Sequence, residues 1–177
     1  MMLDRVLKAV DENEGMSVEF RKNVKQLIIK FSSIFPQVSL DNLEDRIKNV
    51  KIEKTNKLVN KKPYEYNAKE NILRFSESAL KNEYNAVHLL MSGLLCMITA
   101  HDNTYGFATT DNKFISFNIG YTEILSCFLV GNAGEADFYE EEVITTNIIS
   151  EVIGAETLFE AYFTNNPTIL FSKIKSL

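Results

Sequence analysis

The chain is poor in the residues that most enzyme fingerprints require: 177 residues contain two cysteines, two histidines, three prolines and seven glycines. Seven scattered glycines build no phosphate-cradling loop, and Gly131-Asn132-Ala133-Gly134 completes no nucleotide fingerprint. Cys96 and Cys127 both sit inside apolar helical patterns. That excludes a disulfide scaffold and suits reduced core thiols in a cytoplasmic protein. Positive charge is also in deficit, with 19 Lys and Arg against 24 Asp and Glu, a net charge of -5. A general nucleic-acid binder would show a basic face, so no nucleic-acid partner is expected. Lys48, Lys51, Lys54, Lys57, Lys61 and Lys62 crowd one segment, and their plain reading is a solvated strand edge and loop. The longest apolar run, Ala86 to Ala100, carries His88, Ser92, Gly93 and Thr99 and falls short of the roughly 20 residues that span a bilayer. The first residues, Met1 to Lys8, lack the apolar core of a secretory signal. A cytoplasmic protein with no membrane association is therefore expected.

What is present is a globular composition, 45% hydrophobic and 24% charged, enough to bury a core without metal or disulfides. Leu3, Val6, Leu7 and Val10 recur at helical spacing before a polar break at 11–15. Val18, Phe20, Val24, Leu27, Ile28, Phe31, Ile34 and Phe35 mark an amphipathic helix, with Ser17 as N-cap and Pro36 beyond its end. A short helix capped by Asp41 uses Leu43 and Ile47. Asn49 to Lys54 alternates apolar and charged residues as a half-buried strand does, and a turn at Asn67 to Asn71 leads to a second strand at Ile72 to Phe75. A long apolar helix follows from Asn82 to Ala100, then a polar loop or short hairpin over 101–113.

Phe117 to Leu125 reads as a turn feeding a second apolar helix, whose pattern runs over Ile119 to Val130, and Gly131 to Asp137 as a flexible loop. Helices over Glu140 to Ile153 and Glu156 to Thr164 complete the pattern, stopped by Gly154 and near Pro167. No internal repeat or linker is visible. The predicted fold is α+β and mostly α-helical, with a small β-sheet. Residues 1–48 are read as an N-terminal helical segment packed on a single unit at 49–177.

Zinc peptidases of the H-E-x-x-H class place two His one helical turn apart so that both imidazoles face one ion. The Glu between them activates the metal-bound water, and a second helix supplies a third ligand. Three pieces of text bear on this pattern: Ser92-Gly93-Leu94-Leu95-Cys96-Met97-Ile98-Thr99, then Tyr105-Gly106-Phe107, then Asn118-Ile119-Gly120-Tyr121-Thr122-Glu123. Together they resemble small bacterial zincin-like domains, whose pattern is an edge strand, a helix with H-E-L-L-H, a loop ending in G-F, and a helix opening with N-E-G-Y-T-E. The resemblance covers Asn67 to Phe163 and implies a zincin-like frame with an N-terminal helical extension.

Carried across by position, the resemblance implies a loss of chemistry. Ser92 and Cys96 stand for the two His ligands, Gly93 for the catalytic Glu and Ile119 for the Glu ligand, while Glu123 matches the acid that supports a ligand from behind. Gly has no proton acceptor and Ile no donor atom. The expectation is a degenerate metallopeptidase, a pseudoenzyme without cofactor, whose former cleft is lined by Ser92, Gly93, Cys96, Ile119 and Glu123. Such a protein would act by binding and regulating or inhibiting a protein partner, as a bacterial regulator or as a phage or mobile-element product, and homo-oligomers are compatible with it.

Two alternatives stand beside this one. A rearranged zinc site could use Cys96, His101 and Glu123. His88 and Cys96 share a helix face but lie roughly 12 Å apart along its axis, too far for one ion. The other alternative is a plain helical structural or oligomerisation domain.

Overall fold

The computed structural model describes residues 2–58, 62–111, 113–131 and 138–176. Its first three helices follow the apolar periodicity. α1 (Met2–Glu12) buries Val6, Ala9 and Val10, and α2 (Val18–Ile34) buries Val24, Leu27, Ile28 and Phe31. The Ser17 hydroxyl caps α2 by accepting the Phe20 N–H at 3.2 Å, satisfying a donor that the helix itself leaves open. α3 (Asp41–Asn49) buries Leu43 and Ile47. Its cap position is Leu40 rather than Asp41. The Ser39 hydroxyl accepts the Asp41 N–H at 3.1 Å, which leaves the Asp41 charge in the first turn, where the helix dipole favours it.

Three short strands follow: β1 (Lys51–Thr55), β2 (Tyr64–Asn67) and β3 (Ile72–Ser76), ordered β1-β3-β2. β1 pairs parallel to β3 with Ile52 opposite Leu73, and β2 pairs antiparallel with Tyr66 opposite Leu73. The sequence reading assigned no strand to β2. Its alternation is aromatic, burying Tyr64 and Tyr66 while Glu65 and Asn67 stay half-exposed, so it satisfies the period-two rule with side chains that also suit a loop. Leu73 and Phe75 of the central strand are fully buried.

A short 3₁₀ turn (Ala79–Lys81) leads to α4 (Glu83–Ile98), which Asn82 caps by accepting the Tyr84 N–H at 2.9 Å. Every residue from His88 to Ile98 is buried, so α4 is the central helix, packed on by α2, α3, β2 and α5. α5 (Ile115–Val130) then meets α6 (Glu140–Ile153), followed by α7 (Ala155–Phe163) and α8 (Thr168–Lys175). α8 lies beyond the last helix read from the sequence. One continuous apolar core joins Val6 of α1 to Leu170 of α8, so 1–48 packs on 49–177 and shares its core.

The turn expected from Phe117 ahead of the helix is itself helical. α5 starts two residues earlier, after Phe114 in the left-handed conformation (φ 61°), whose carbonyl accepts the Asn118 N–H at 2.8 Å. Gly120 is in the helix because α6 crosses there: a Cβ on it would lie 2.3 Å from the Glu142 carbonyl oxygen. The polar stretch after α4 makes turns and a single bridge, His101 with Thr104. The predicted loop at 131–137 falls, apart from Gly131, outside the described residues. Among the described residues no helix is long and apolar enough to cross a membrane.

Candidate functional site

The least expected feature of the core is its polarity where α4 meets α5. His88 and Ser92 sit one turn apart on α4, and Glu123, Ser126 and Cys127 occupy one stripe of α5. All are buried, with His88 at 0%, Glu123 at 1% and Cys127 at 3% exposure. Helical spacing forces this grouping, since residues three and four apart share a face. What the sequence does not specify is that the two faces are turned towards each other.

His88 Nε2 lies 3.0 Å from Glu123 Oε2. The other carboxylate oxygen, Oε1, accepts the backbone N–H of Phe138 at 2.8 Å and faces the Cys127 thiol at 3.9 Å. Ser92 donates to the His88 carbonyl at 3.2 Å, and its oxygen lies 2.9 Å from that of Ser126. The Phe138 ring packs against the imidazole with centroids 5.7 Å apart, and Tyr84 approaches from the preceding turn. Burial opposes a positive charge on His88. The bonds to Cys127 and Glu123, with the carboxylate charge, outweigh that penalty and raise the imidazole from 6.5 to about 9. In this state the cluster is an ion pair beside a thiol, held in a dry interior.

The text that resembles the zincin motif is occupied with structural work. Asn118 Oδ1 accepts the Phe107 N–H at 2.8 Å, and Thr99 Oγ1 accepts the Gly106 N–H at 3.0 Å, which pins the Gly-Phe loop against the end of α4. Gly106 has φ 57°, and a Cβ there would lie 1.9 Å from Asn118 Oδ1, so this loop requires glycine. Thr122 lies 2.7 Å from the Tyr162 hydroxyl and ties α5 to α7.

Of the residues read as a former cleft, the structure brings together Ser92 and Glu123 through His88 and Ser126. Gly93 and Cys96 face the sheet instead. A Cβ on Gly93 would lie 2.6 Å from the Leu73 side chain, so Leu73 fills the place a catalytic Glu would need. The Cys96 thiol lies 4.0 Å from the Tyr64 hydroxyl, and burial pushes it up to about 12, where it is neither nucleophile nor ligand at neutral pH. Ile119 is half-buried and seven residues before Ser126, roughly 10 Å back along α5. The interhelical contacts advance in the same sense on both helices, His88 to Glu123 and Ser92 to Ser126. Ile119 and Cys96 thus lie on opposite sides of that contact zone and do not converge on one ion.

The rearranged set of Cys96, His101 and Glu123 is not assembled either. His101 is exposed, its Nδ1 3.2 Å from Asp102, while Cys96 is sealed beneath Tyr64. Among the described residues the group of metal-ligating side chains that does meet is His88, Glu123 and Cys127, one donor atom from each within 4.8 Å of the others. Sequence reasoning singled out Glu123 and weighed His88 only against Cys96. The missed signal was the four-residue spacing of Glu123 and Cys127, which places both on one helix face. No protein-family model, no curated protein and no solved structure matches this chain.

Proposed function

We propose that this chain is a non-catalytic domain on a zincin-like frame that acts by binding another protein. The observation that carries this reading is the outward face of α6. Ile144, Ile148 and Val152, four residues apart, are 53%, 64% and 57% exposed, while Thr146 and Ile153 on the opposite side are buried. Phe171 and Ile174 extend the apolar surface onto α8, which packs on α6. Single exposed apolar residues are ordinary, but a stripe of three on one helix with a neighbouring pair marks a contact surface. Exposed Glu141 and Glu151 flank the stripe, so a partner with an apolar strip and a basic rim complements it.

The absence of catalysis rests on the former-cleft positions. Ser92, Gly93, Cys96 and Ile119 supply neither a converging ligand set nor a general base, and the one buried acid, Glu123, is engaged by His88 and Phe138. The test is site-specific photocrosslinking in extract of the cells that make the protein, with the crosslinker at Ile148 and, as control, at exposed Lys54. A single protein captured at Ile148 only, and lost on Ile144→Glu, is the expected result. Zinc-dependent cleavage of a peptide library, abolished by chelator, would overturn the non-catalytic part. Equal capture at both positions would overturn the surface.

A further inference from the structure

We propose that His88 Nε2, Glu123 Oε2 and Cys127 Sγ form a binding site for one zinc-type divalent cation, which ties α4 to α5 as a structural metal. This goes beyond the protein-binding reading and does not depend on it.

The first support is geometry. His88, Glu123 and Cys127 each offer a donor atom within 4.8 Å of the other two, and His88 Nε2 and Glu123 Oε2 are already 3.0 Å apart. Donors on a tetrahedral zinc at about 2.0–2.3 Å sit roughly 3.5 Å apart, so ligation requires the thiol to close by about an ångström, within reach of a χ1 adjustment. The second support is donor chemistry. A thiolate, an imidazole and a carboxylate suit zinc or cobalt, whereas magnesium and calcium call for an all-oxygen shell.

Charge gives the third. One thiolate and one carboxylate neutralise a divalent cation beside a neutral imidazole, so the dry interior carries no net charge when the site is filled. The fourth is the support behind the ligands. The Phe138 N–H holds Glu123 Oε1 at 2.8 Å and leaves Oε2 facing His88, the arrangement in which a metal-bound carboxylate is fixed by its second oxygen. His88 lies one turn before the first ligand position of the zincin pattern on α4, Glu123 is that pattern's supporting acid rather than its ligand, and Cys127, one turn further along α5, lies outside the pattern.

The site is read as structural because the described residues around it cover it with packed side chains. His88, Glu123 and Cys127 are at most 3% exposed, Phe138 covers the imidazole, and Leu73 occupies the space beside Gly93.

The experiment uses untagged full-length protein, stripped with chelator and titrated with cobalt(II), then with zinc. Expected are one equivalent of cobalt, a near-ultraviolet thiolate-to-cobalt charge-transfer band, and displacement by one equivalent of zinc. Saturating zinc should raise the unfolding temperature by on the order of 5–10 °C. Cys127→Ser should abolish the charge-transfer band and weaken zinc at least tenfold, while Cys96→Ser keeps both. Wild-type protein that binds less than a tenth of an equivalent, or binds cobalt without a thiolate band, overturns the site even if the Cys127→Ser protein fails to fold. A band lost in Cys96→Ser but kept in Cys127→Ser overturns the ligand assignment.

Discussion

The α4–α5 contact and the outward face of α6 are each made of what the other should be made of. Between the two central helices the chain buries His88, Ser92, Glu123 and Ser126, while α6 shows water Ile144, Ile148 and Val152. Both arrangements run against the hydrophobic gradient. Polar groups leave water without loss only when every one finds a partner, and apolar side chains stay in water only at a cost that covering them would relieve. The interior region meets its condition within the molecule, through the His88–Glu123 pair and the Ser92–Ser126 contact. The α6 face does not meet its own, and this is why the two regions point to different roles, an internal clamp and an external contact.

The contrast is broken most severely from the inside. Replacing Glu123 by Ala removes the carboxylate that lies 3.0 Å from the buried His88 imidazole, and should cost about 3–5 kcal/mol in urea unfolding. A double replacement of His88 and Glu123 by Leu should recover much of that loss, because the penalty belongs to the uncompensated charge. Recovery absent from the double variant would mean that shape rather than charge holds the helices together.

The same pair predicts a pH dependence. His88 is raised from 6.5 to about 9, so its contribution is complete below pH 6.5 and is lost as pH rises through 9. A shift of that size corresponds to about 3 kcal/mol. Metal-free protein should therefore unfold at lower urea at pH 9.5 than at pH 6, and the Glu123→Ala variant should show much less of this slope.

Gly120→Ala tests the next contact outward. Its Cβ would lie 2.3 Å from the Glu142 carbonyl oxygen and 2.4 Å from Thr146 Oγ1, and a backbone atom cannot rotate aside. A loss of about 1–3 kcal/mol is expected, with α6 displaced from α5. At the surface the expectation reverses. Ile148→Glu should change stability by less than about 0.5 kcal/mol, since the side chain is 64% exposed, while weakening partner binding severely. A large stability loss there would mean that the face is covered within the chain.

Much of the fold was legible because it follows from local periodicity. The stripe of α2, its Ser17 cap and the span of α6 came directly from residue spacing. β2 escaped because Tyr64-Glu65-Tyr66 is too short to assert a period, and it is fixed only by pairing with β3. The expected helix from Ile119 already contained Gly120, and its first turn escaped because the start at Ile115 is set by Phe114 in the left-handed conformation rather than by a capping side chain. The candidate site was half legible. Glu123 was singled out by its place in the zincin-like text, but Cys127 looked like any small core residue, and its relation to His88 depends on two helices separated by a loop of 16 residues, Thr99 to Phe114.

By itself the sequence determined most of the helices, which face of each is apolar, and that His88 would be placed in or at the edge of the core. Those properties follow from side-chain volume, polarity and a 3.6-residue repeat, all of which act over a few residues. Only the tertiary structure decided that His88 rather than His101 meets Glu123, that Leu73 closes the space over Gly93, and that Cys127 rather than Cys96 joins the pair. The reason is that rotation and register between packed helices are set by the sum of many contacts across the core, and no short stretch of the chain contains that sum.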